Sequence, residues 1–425
     1  MIKDKVTIIG LGYVGLPLAC AIARKGGYQV FGLDLDEKKI ALIKKKISPI
    51  DDAETTKLLK KVPLTVSTDN SILKDSEYII VCVPTPVKNN KLPDLNPIKM
   101  ATKTISKHLE KGQCIIIEST INPGICEEIV LPILEQSGFK GGKDFELSHC
   151  PERINPGDTK WNVLTIPRNI GSLTRKGNKK VANFYRSFLN AEINEVSSLK
   201  IAEATKIIEN TFRDINIAYV NELAKSFDLM GIDLLETIKA ASNKPFAFMP
   251  HFPGCGVGGH CIPVDPYYLI NRAQKAGFNH SFLKKARQVN NSMPQYAVDL
   301  LEARLHKIGK KITTTKIGLL GISYKANVSD LRESPSLEII KIFKKRKIAF
   351  TKFDPHVPEL SDVKSLEELL QKSEALIVAT NHDIFKKIPV SMFKKYNIKV
   401  VIDGKNCLDK AILEKNGIIY KGIGH

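Results

Sequence analysis

The chain has 425 residues, 43% of them hydrophobic and 26% charged, the balance of an ordinary soluble globular protein. At about 150 residues per domain it predicts two or three domains with sizeable cores. Eight cysteines (Cys20, Cys82, Cys114, Cys126, Cys150, Cys255, Cys261 and Cys407) form no CxxC pair and no His-Cys ligand spacing. No disulfide framework and no metal site are therefore expected, and a reducing cytoplasm is the setting this implies. The net charge is +19, from 64 Lys+Arg against 45 Asp+Glu. That surplus is dispersed and has no aromatic-basic interleaving, so solvated lysine faces are expected rather than a nucleic-acid partner.

The chain opens with an uncharged run, Val6 to Ala23, which approaches membrane-spanning length but contains Gly10, Gly12, Gly15 and Pro17. The glycines change its reading, and no membrane insertion is expected. Val6 to Ile9 reads as a strand, Gly10-Leu11-Gly12-Tyr13-Val14-Gly15 as a turn, the Ala-rich stretch as a helix, and Gln29 to Leu33 as a second strand ending at Asp34. This order is the dinucleotide fingerprint. Gly10 allows the tight turn, Gly12 lets backbone touch a pyrophosphate, and Gly15 permits close helix packing at an anion-attracting helix N-terminus. Asp34 is placed to bind a ribose diol, which selects NAD over NADP because a 2′-phosphate would be repelled.

Later strands are expected at Tyr78 to Val83, before Pro84-Thr85-Pro86, and at Cys114 to Ile117, before Glu118-Ser119-Thr120. Ligands sit at the carboxyl ends of such strands, so Thr85 and Thr120 are candidates to face the cofactor. From Ser197-Ser198, which can cap a helix, a helical pattern runs past Asn221 towards Gly231. Glu203, Lys206, Asn210, Arg213, Asp214 and Asn221 recur on it at three- or four-residue steps, a polar stripe whose single amides and mixed charges suit a site wall. A salt-bridged exterior face is the plainer alternative.

Near the C-terminus the strand pattern returns at Lys316 to Leu320, Ala349 to Phe353, Ala375 to Ala379 and Val400 to Ile402, without GxGxxG. A second doubly wound domain suited to a nucleotide other than NAD is expected, with Lys325 and Arg332 available to neutralise phosphates. The expected fold is thus α/β: two doubly wound Rossmann-like domains joined by a long central helical region, with bounds at 1–197, 198–305 and 306–425.

Residues 254–266 read Gly-Cys-Gly-Val-Gly-Gly-His-Cys-Ile-Pro-Val-Asp-Pro. A cysteine in such a loop, Cys261, can serve as a nucleophile, while Cys255 reads as buried and inert. Hydride transfer from an alcohol alone needs no cysteine. A thiolate that adds to an aldehyde, followed by oxidation to a thioester and hydrolysis, uses every element.

At this point the residues resemble a known family. Gly10 to Pro17, Val83-Pro84-Thr85-Pro86, Glu118-Ser119-Thr120, Cys150-Pro151-Glu152-Arg153, Phe212-Arg213-Asp214, Gly258-Gly259-His260-Cys261 and Asp330 to Pro335 look like the successive motifs of the UDP-glucose/GDP-mannose dehydrogenase family. The resemblance implies an NAD-dependent four-electron oxidation of a nucleotide sugar's primary alcohol to a uronic acid. It makes Cys261 the nucleophile, sets Lys206 with Asn210 at the reacting oxygen, has Asp265 and Thr120 position a water, and has Glu152 assist thioester hydrolysis. For NAD it implies Gly10, Leu11, Gly12, Tyr13, Val14, Gly15, Asp34, Lys39, Pro84, Thr85, Thr120 and Arg332. For the sugar nucleotide it implies Arg153, Ile154, Lys206, Asn210, Arg213, Gly256, Gly258 and Lys325, and for the assembly a homodimer through the central helices.

Gly258-Gly259-His260-Cys261 and Pro151 to Asp158 look like the branch acting on UDP-N-acetylhexosamines, because UDP-glucose enzymes usually carry Tyr before the cysteine. UDP-GlcNAc leads as the expected substrate, with UDP-GalNAc, UDP-ManNAc and UDP-glucose as alternatives. Two departures bear on this choice. Pro156 stands where UDP-glucose enzymes have a second glutamate, and Lys244 and Phe246 replace the His and Arg that N-acetylmannosamine enzymes show around Pro245. Outside this class stand a two-electron alcohol dehydrogenase, which would yield one NADH per substrate, and a silent NAD-binding regulator. The intact Cys261, Lys206 and Asp265 argue against the regulator.

Overall fold

A computed structural model of the chain describes residues 4–25, 27–86, 92–153 and 160–425. The chain divides into two compact units, Met1–Glu209 with Tyr267–Ala276, and Asn210–Pro266 with Gly277–His425. The long helix Leu199–Met230 joins them. This is the expected α/β arrangement of two wound sheets and a central helical region.

In the first unit eight strands, β1 (Lys5–Ile9), β2 (Gln29–Leu33), β3 (Leu64–Ser67), β4 (Tyr78–Val81), β5 (Cys114–Ile117), β6 (Glu146–His149), β7 (Arg168–Ser172) and β8 (Ile193–Glu195), lie in the order β3-β2-β1-β4-β5-β6-β7-β8. All pairs are parallel except β6 with β7. The strand before Pro84 stops at Val81, two residues short of the sequence reading. Its β-branched run is buried on both faces, as a parallel sheet covered by helices requires. Val6, Ile8, Ile80 and Ile116 pack into one core while Ile9, Ile79, Val81, Ile115 and Ile117 pack into another, the period-two split of a sheet with helices on both sides.

The second unit holds five parallel strands, β9 (Ile317–Leu320), β10 (Phe350–Phe353), β11 (Ala375–Val378), β12 (Val400–Asp403) and β13 (Ile419–Gly422), ordered β10-β9-β11-β12-β13. The order repeats β2-β1-β4-β5, with the reversal of winding between β9 and β11 as it lies between β1 and β4. Ile317, Leu319, Ile377 and Ile402 share one core and Leu320, Leu376, Val378 and Val401 the other.

The uncharged run at the N-terminus is divided among β1, the glycine turn and the helix Gly15–Lys25. Among the described residues no helix is long and apolar enough to cross a membrane.

Two glycines make the first turn possible. Gly10 has φ +91°, and a Cβ on it would lie 2.7 Å from the carbonyl oxygen of Cys82, the residue just after β4. A Cβ on Gly15 would lie 1.9 Å from the Gly10 carbonyl oxygen, so the helix starts against the turn only because no side chain intervenes. Gly15→Ala is expected to cost about 1–3 kcal/mol through overpacking, read as a lower urea midpoint at unchanged slope.

Candidate active site

The turn after β1 is built from its backbone outward. Gly10 donates its N–H to the Leu33 carbonyl at 2.8 Å, and the Leu11 N–H donates to Asp34 Oδ2 at 2.8 Å, so the end of β2 is clamped to the turn. Asp36 caps the helix Glu37–Lys44, and from its first turn Lys39 reaches back to Asp34 Oδ2 at 2.7 Å. Half-burial works against the charge on Asp34. Hydrogen bonds from Lys39 and from the Leu11 and Asp36 amides nevertheless hold its carboxyl below the usual carboxylate range. Nothing lies within 4 Å of where a Cβ on Gly12 would be, so backbone there is open to a ligand. Tyr13 is exposed beside it. A turn with open backbone, the N-terminus of a buried helix and an ionised aspartate at the next strand end fits the pyrophosphate and ribose of NAD.

At the neighbouring strand ends, Pro84 is exposed, Thr85 is buried and Thr120 is half-buried. Ser119 Oγ donates to the Val83 carbonyl at 2.8 Å, which joins the two loops. Tyr268, buried on the helix Asp265–Lys275, donates its hydroxyl to the Thr85 carbonyl and accepts Asn122 Nδ2 on its own carbonyl at 3.0 Å. The role of Tyr268 was not read from the sequence. Its one signal there is its place a helical turn after Asp265.

Glu152 follows β6 and is half-buried, its carboxyl pushed up to about 7 by burial, with Lys206 and Arg168 pulling the other way. Arg168 and Glu118 pair in the interior at 3.5 Å, and Tyr185 donates to Glu118. Arg153 is tied to Glu209 at 2.5 Å and to the Pro167 carbonyl at 3.1 Å. Ile154 and Pro156 lie outside the described residues.

The helix Leu199–Met230 begins at Ser198, which caps the Ile201 N–H at 3.3 Å. Its polar stripe is turned inward: Glu203, Lys206, Asn210, Asp214 and Asn221 are all buried, while Ile208, Phe212 and Tyr219 are exposed. Arg213 is exposed and stands apart from the others. Each buried polar group whose partners are known meets a loop or helix. Glu203 accepts the Gly124 N–H at 2.5 Å and the Cys126 N–H at 2.8 Å, gripping the segment just after Thr120. Burial outweighs those two bonds and pushes its carboxyl up to about 7.

In the second unit Asn210 Nδ2 donates to Asp265 Oδ2 at 2.5 Å, and Asp214 receives Arg287 at 2.5 Å and Asn290 at 2.8 Å. Asn221 donates to Asn290 at 2.9 Å and accepts the Gly254 N–H at 2.9 Å, so the stripe holds the first residue of the glycine-rich loop.

That loop is fixed along its length. Cys255 is buried, its thiol pushed up to about 12 by burial, and its Sγ would lie 2.1 Å from a Cβ on Gly404. It is the buried cysteine expected. Gly256 has φ +127°, and a Cβ on Gly258 would lie 2.5 Å from Tyr324 Cβ, so the glycines serve close packing on Tyr324 and Pro335 as well as any approach of ligand. Gly259 donates to the Arg332 carbonyl at 2.8 Å. Cys261 is half-exposed, and its carbonyl accepts the N–H groups of Val264 at 3.1 Å and Asp265 at 2.8 Å. The thiol-bearing residue is thereby locked to the helix that the buried Asp265 opens. His260 beside it is held below its ordinary pKa by burial and then by the Arg332 charge. Lys244 lies over the exposed Phe246 ring at 4.8 Å.

At the start of the second sheet's winding, Lys325 is half-buried, and Arg332 is paired with Asp330 at 2.5 Å. Gly321 repeats the Gly10 device: its N–H meets the Phe353 carbonyl at 2.9 Å, and Asp354 stands where Asp34 stands in the first unit. Asp354 is fully buried, and its Oδ2 is engaged by the Ile322 and Ser323 N–H groups, the Ser323 hydroxyl and His382 at 2.7–3.1 Å. It has no room for a ribose, which fits a nucleotide other than NAD. Among the described residues no group of three or more His, Cys, Asp and Glu is arranged to hold a metal ion.

Three successive segments match models of one family. Residues 4–189 match the UDP-glucose/GDP-mannose dehydrogenase family NAD binding domain, residues 200–292 its central domain and residues 318–410 its UDP binding domain. UDP-N-acetyl-D-mannosamine dehydrogenase of Pyrococcus horikoshii is 35% identical over 99% of this chain and 99% of its own length. UDP-N-acetyl-D-glucosamine 6-dehydrogenase of Pseudomonas aeruginosa is 36% identical over 94% and 98%. The solved structure of UDP-D-ManNAc dehydrogenase from Pyrococcus horikoshii matches with a TM-score of 0.93 over 99% of each chain at 35% identity. That of NDP-N-acetyl-D-galactosaminuronic acid dehydrogenase from Methanosarcina mazei matches with 0.88 at 29% identity, over 100% of this chain and 96% of the other.

Glu203 generates a stability prediction. An unfolded glutamate titrates near 4.5 while the folded one keeps its proton to about 7, so the folded state binds more protons across that window and stability falls as pH rises through it. Glu203→Gln is expected to flatten this slope only in part, because Glu152 contributes a similar one. Urea midpoints taken at steps from acid to neutral pH measure it, and an unchanged slope would contradict the assignment.

Proposed function

The chain belongs to the UDP-glucose/GDP-mannose dehydrogenase family, and from that premise we propose that it oxidises the C6 alcohol of a UDP-N-acetylhexosamine, UDP-GlcNAc foremost, to the uronic acid. The division of labour follows residues 1–197 for NAD, 198–305 for the central helices and catalysis, and 306–425 for the UDP moiety. The observation that carries the reading is the constellation in the second unit. Cys261 is locked through its carbonyl to the helix opened by Asp265, whose carboxylate takes a hydrogen bond from Asn210.

NAD supplies the hydride acceptor, with two molecules and one water consumed per carboxylate formed. Loss of a hydride from C6 and of the hydroxyl proton turns the alcohol into an aldehyde. The Cys261 thiolate then adds to the aldehyde carbon, and the oxygen that gathers negative charge is stabilised by the Lys206 ammonium and the Asn210 amide. Oxidation of the thiohemiacetal leaves a thioester on Sγ. Glu152, with its carboxyl near 7, is suited to take a proton from the water that attacks the thioester, after which Sγ leaves as thiolate. Asp265 and Thr120 orient water for the proton transfers. Arg153, Arg213 and Lys325 meet the charge of the sugar nucleotide, with the loop backbone at Gly256 and Gly258, while Lys39 and Arg332 assist at NAD.

Support for the acetylated sugar is His260 before the cysteine, together with relatives named for GlcNAc and ManNAc substrates. Ile208, Phe212 and Tyr219, left exposed along the long helix, support a homodimer through this surface. Eight cysteines spread along the chain without a CxxC pair support a cytoplasmic setting.

Cys261→Ser is expected to abolish uronate formation, and the unaltered chain to yield two NADH per sugar. Full four-electron turnover by the variant would sink the covalent mechanism, and one NADH with released aldehyde would make this a two-electron enzyme. NADH production with UDP-GlcNAc, UDP-GalNAc, UDP-ManNAc and UDP-glucose in parallel should rank UDP-GlcNAc first by kcat/KM.

A further inference from the structure

We propose that His382 is a positioning residue for the nucleotide-sugar site: a buried neutral imidazole that fixes the loop carrying Lys325 and so sets how that ammonium meets the ligand's diphosphate. The inference rests on the reading of Lys325 just given. Its geometry lies wholly within the second unit.

The loop Gly321 to Asn327 follows β9, and His382 follows β11, the strand beside it; the winding of the sheet reverses between these two strands. In doubly wound sheets ligands bind at such a reversal. The near end of the loop is fixed by the Ile322 and Ser323 N–H groups on Asp354 and by Thr380 Oγ1, which donates to the Ser323 carbonyl at 2.5 Å. The far end is fixed by His382, whose Nδ1 accepts the Asn327 N–H at 2.9 Å.

That bond settles the tautomer. Nδ1 offers its lone pair, so the proton is on Nε2, which stands 3.1 Å from Asp354 Oδ2 and 3.1 Å from Ser323 Oγ. One ring therefore ties both ends of the loop to the carboxylate at the end of β10. Asn327 is held at φ +61°, an uncommon conformation for a residue with a side chain. Its amide is in turn clamped to Asp383, at 2.8 Å from Nδ2 to Oδ2 and at 3.1 Å from the Asp383 N–H to Oδ1.

Serine, histidine and aspartate in contact suggest a nucleophilic triad, but the wiring excludes one. Both partners share Nε2, and Nδ1 is occupied by a backbone donor, so no basic nitrogen faces the serine. What the cluster does is hold Ser323 and Asn327 in place, with Lys325 midway between two pinned ends.

The test uses the full chain, with UDP and NAD as separate titrants in calorimetry, and compares wild type, Lys325→Ala, His382→Leu and the double variant. His382→Leu is expected to weaken UDP by about tenfold or more, the size of one lost hydrogen bond to a charged group, with NAD affinity unchanged. In the Lys325→Ala background it should add nothing, because the two act through one contact. With sugar nucleotide as substrate, KM should rise while kcat holds.

UDP affinity at the wild-type level in His382→Leu, or a full additive loss in the double variant, overturns the proposal. Lys325→Ala binding UDP as tightly as wild type overturns the reading beneath it, and the proposal with it. If His382→Leu does not fold, Asp383→Ala removes the exposed half of the same clamp. UDP affinity unchanged in that variant counts against the proposal, and a selective loss of UDP affinity supports it.

Discussion

Burying the polar side of a helix is unfavourable unless its groups find partners, and the helix Leu199–Met230 is built on that constraint. Glu203, Asn210, Asp214 and Asn221 are buried, and each is met: Glu203 by the Gly124 and Cys126 amides, Asn210 by Asp265, Asp214 by Arg287 and Asn290, Asn221 by Asn290 and Gly254. The partners are the segment after Thr120, the start of the helix after Cys261 and the first residue of the glycine-rich loop. Within each unit the helix thus holds a segment that is distant from it in the chain. Its exposed side carries Ile208, Phe212 and Tyr219 instead, the reverse of a helix on an ordinary protein surface.

The same turn is used twice with opposite outcomes. After β1 and after β9, a glycine at positive φ donates its N–H to the end of the neighbouring strand, and an aspartate follows that strand. Asp34 keeps a partly open carboxylate that Lys39 and two amides hold ionised. Asp354 is fully enclosed, and His382, Ser323 and backbone amides occupy the oxygens that a ribose would need. The difference arises from what surrounds the two carboxylates, since the strand patterns that lead to them are alike.

Much of the fold was legible because it depends on local pattern. The β-branched runs, the glycines at Gly10, Gly12 and Gly15, and the return of the pattern after Lys316 determine two wound sheets, since period and turn chemistry act within a few residues. The strands β3, β6, β7 and β8 were less legible. They are short, and Asn169 and Gly171 within β7 or Asn194 and Glu195 within β8 weaken any apolar run. Their pairing, including the antiparallel step to β7, depends on contacts distant in sequence.

The candidate site divides the same way. Asp34 and Cys261 could be singled out as candidates from their neighbours in the chain, because adjacent glycines and a strand end mark them. The roles of Tyr268, Arg287, Asn290 and His382 could not, because each is defined by a partner on another element, such as the Thr85 carbonyl for Tyr268 or the Asn327 N–H for His382. The sequence by itself determined the element types, the turn that fits NAD and the place of Cys261 in a glycine-rich loop, all set by local sterics and periodicity. Only the tertiary structure decided that the polar stripe faces inward and that Asp354 is closed to ligand, because burial and hydrogen-bond partnership are properties of what the chain packs against.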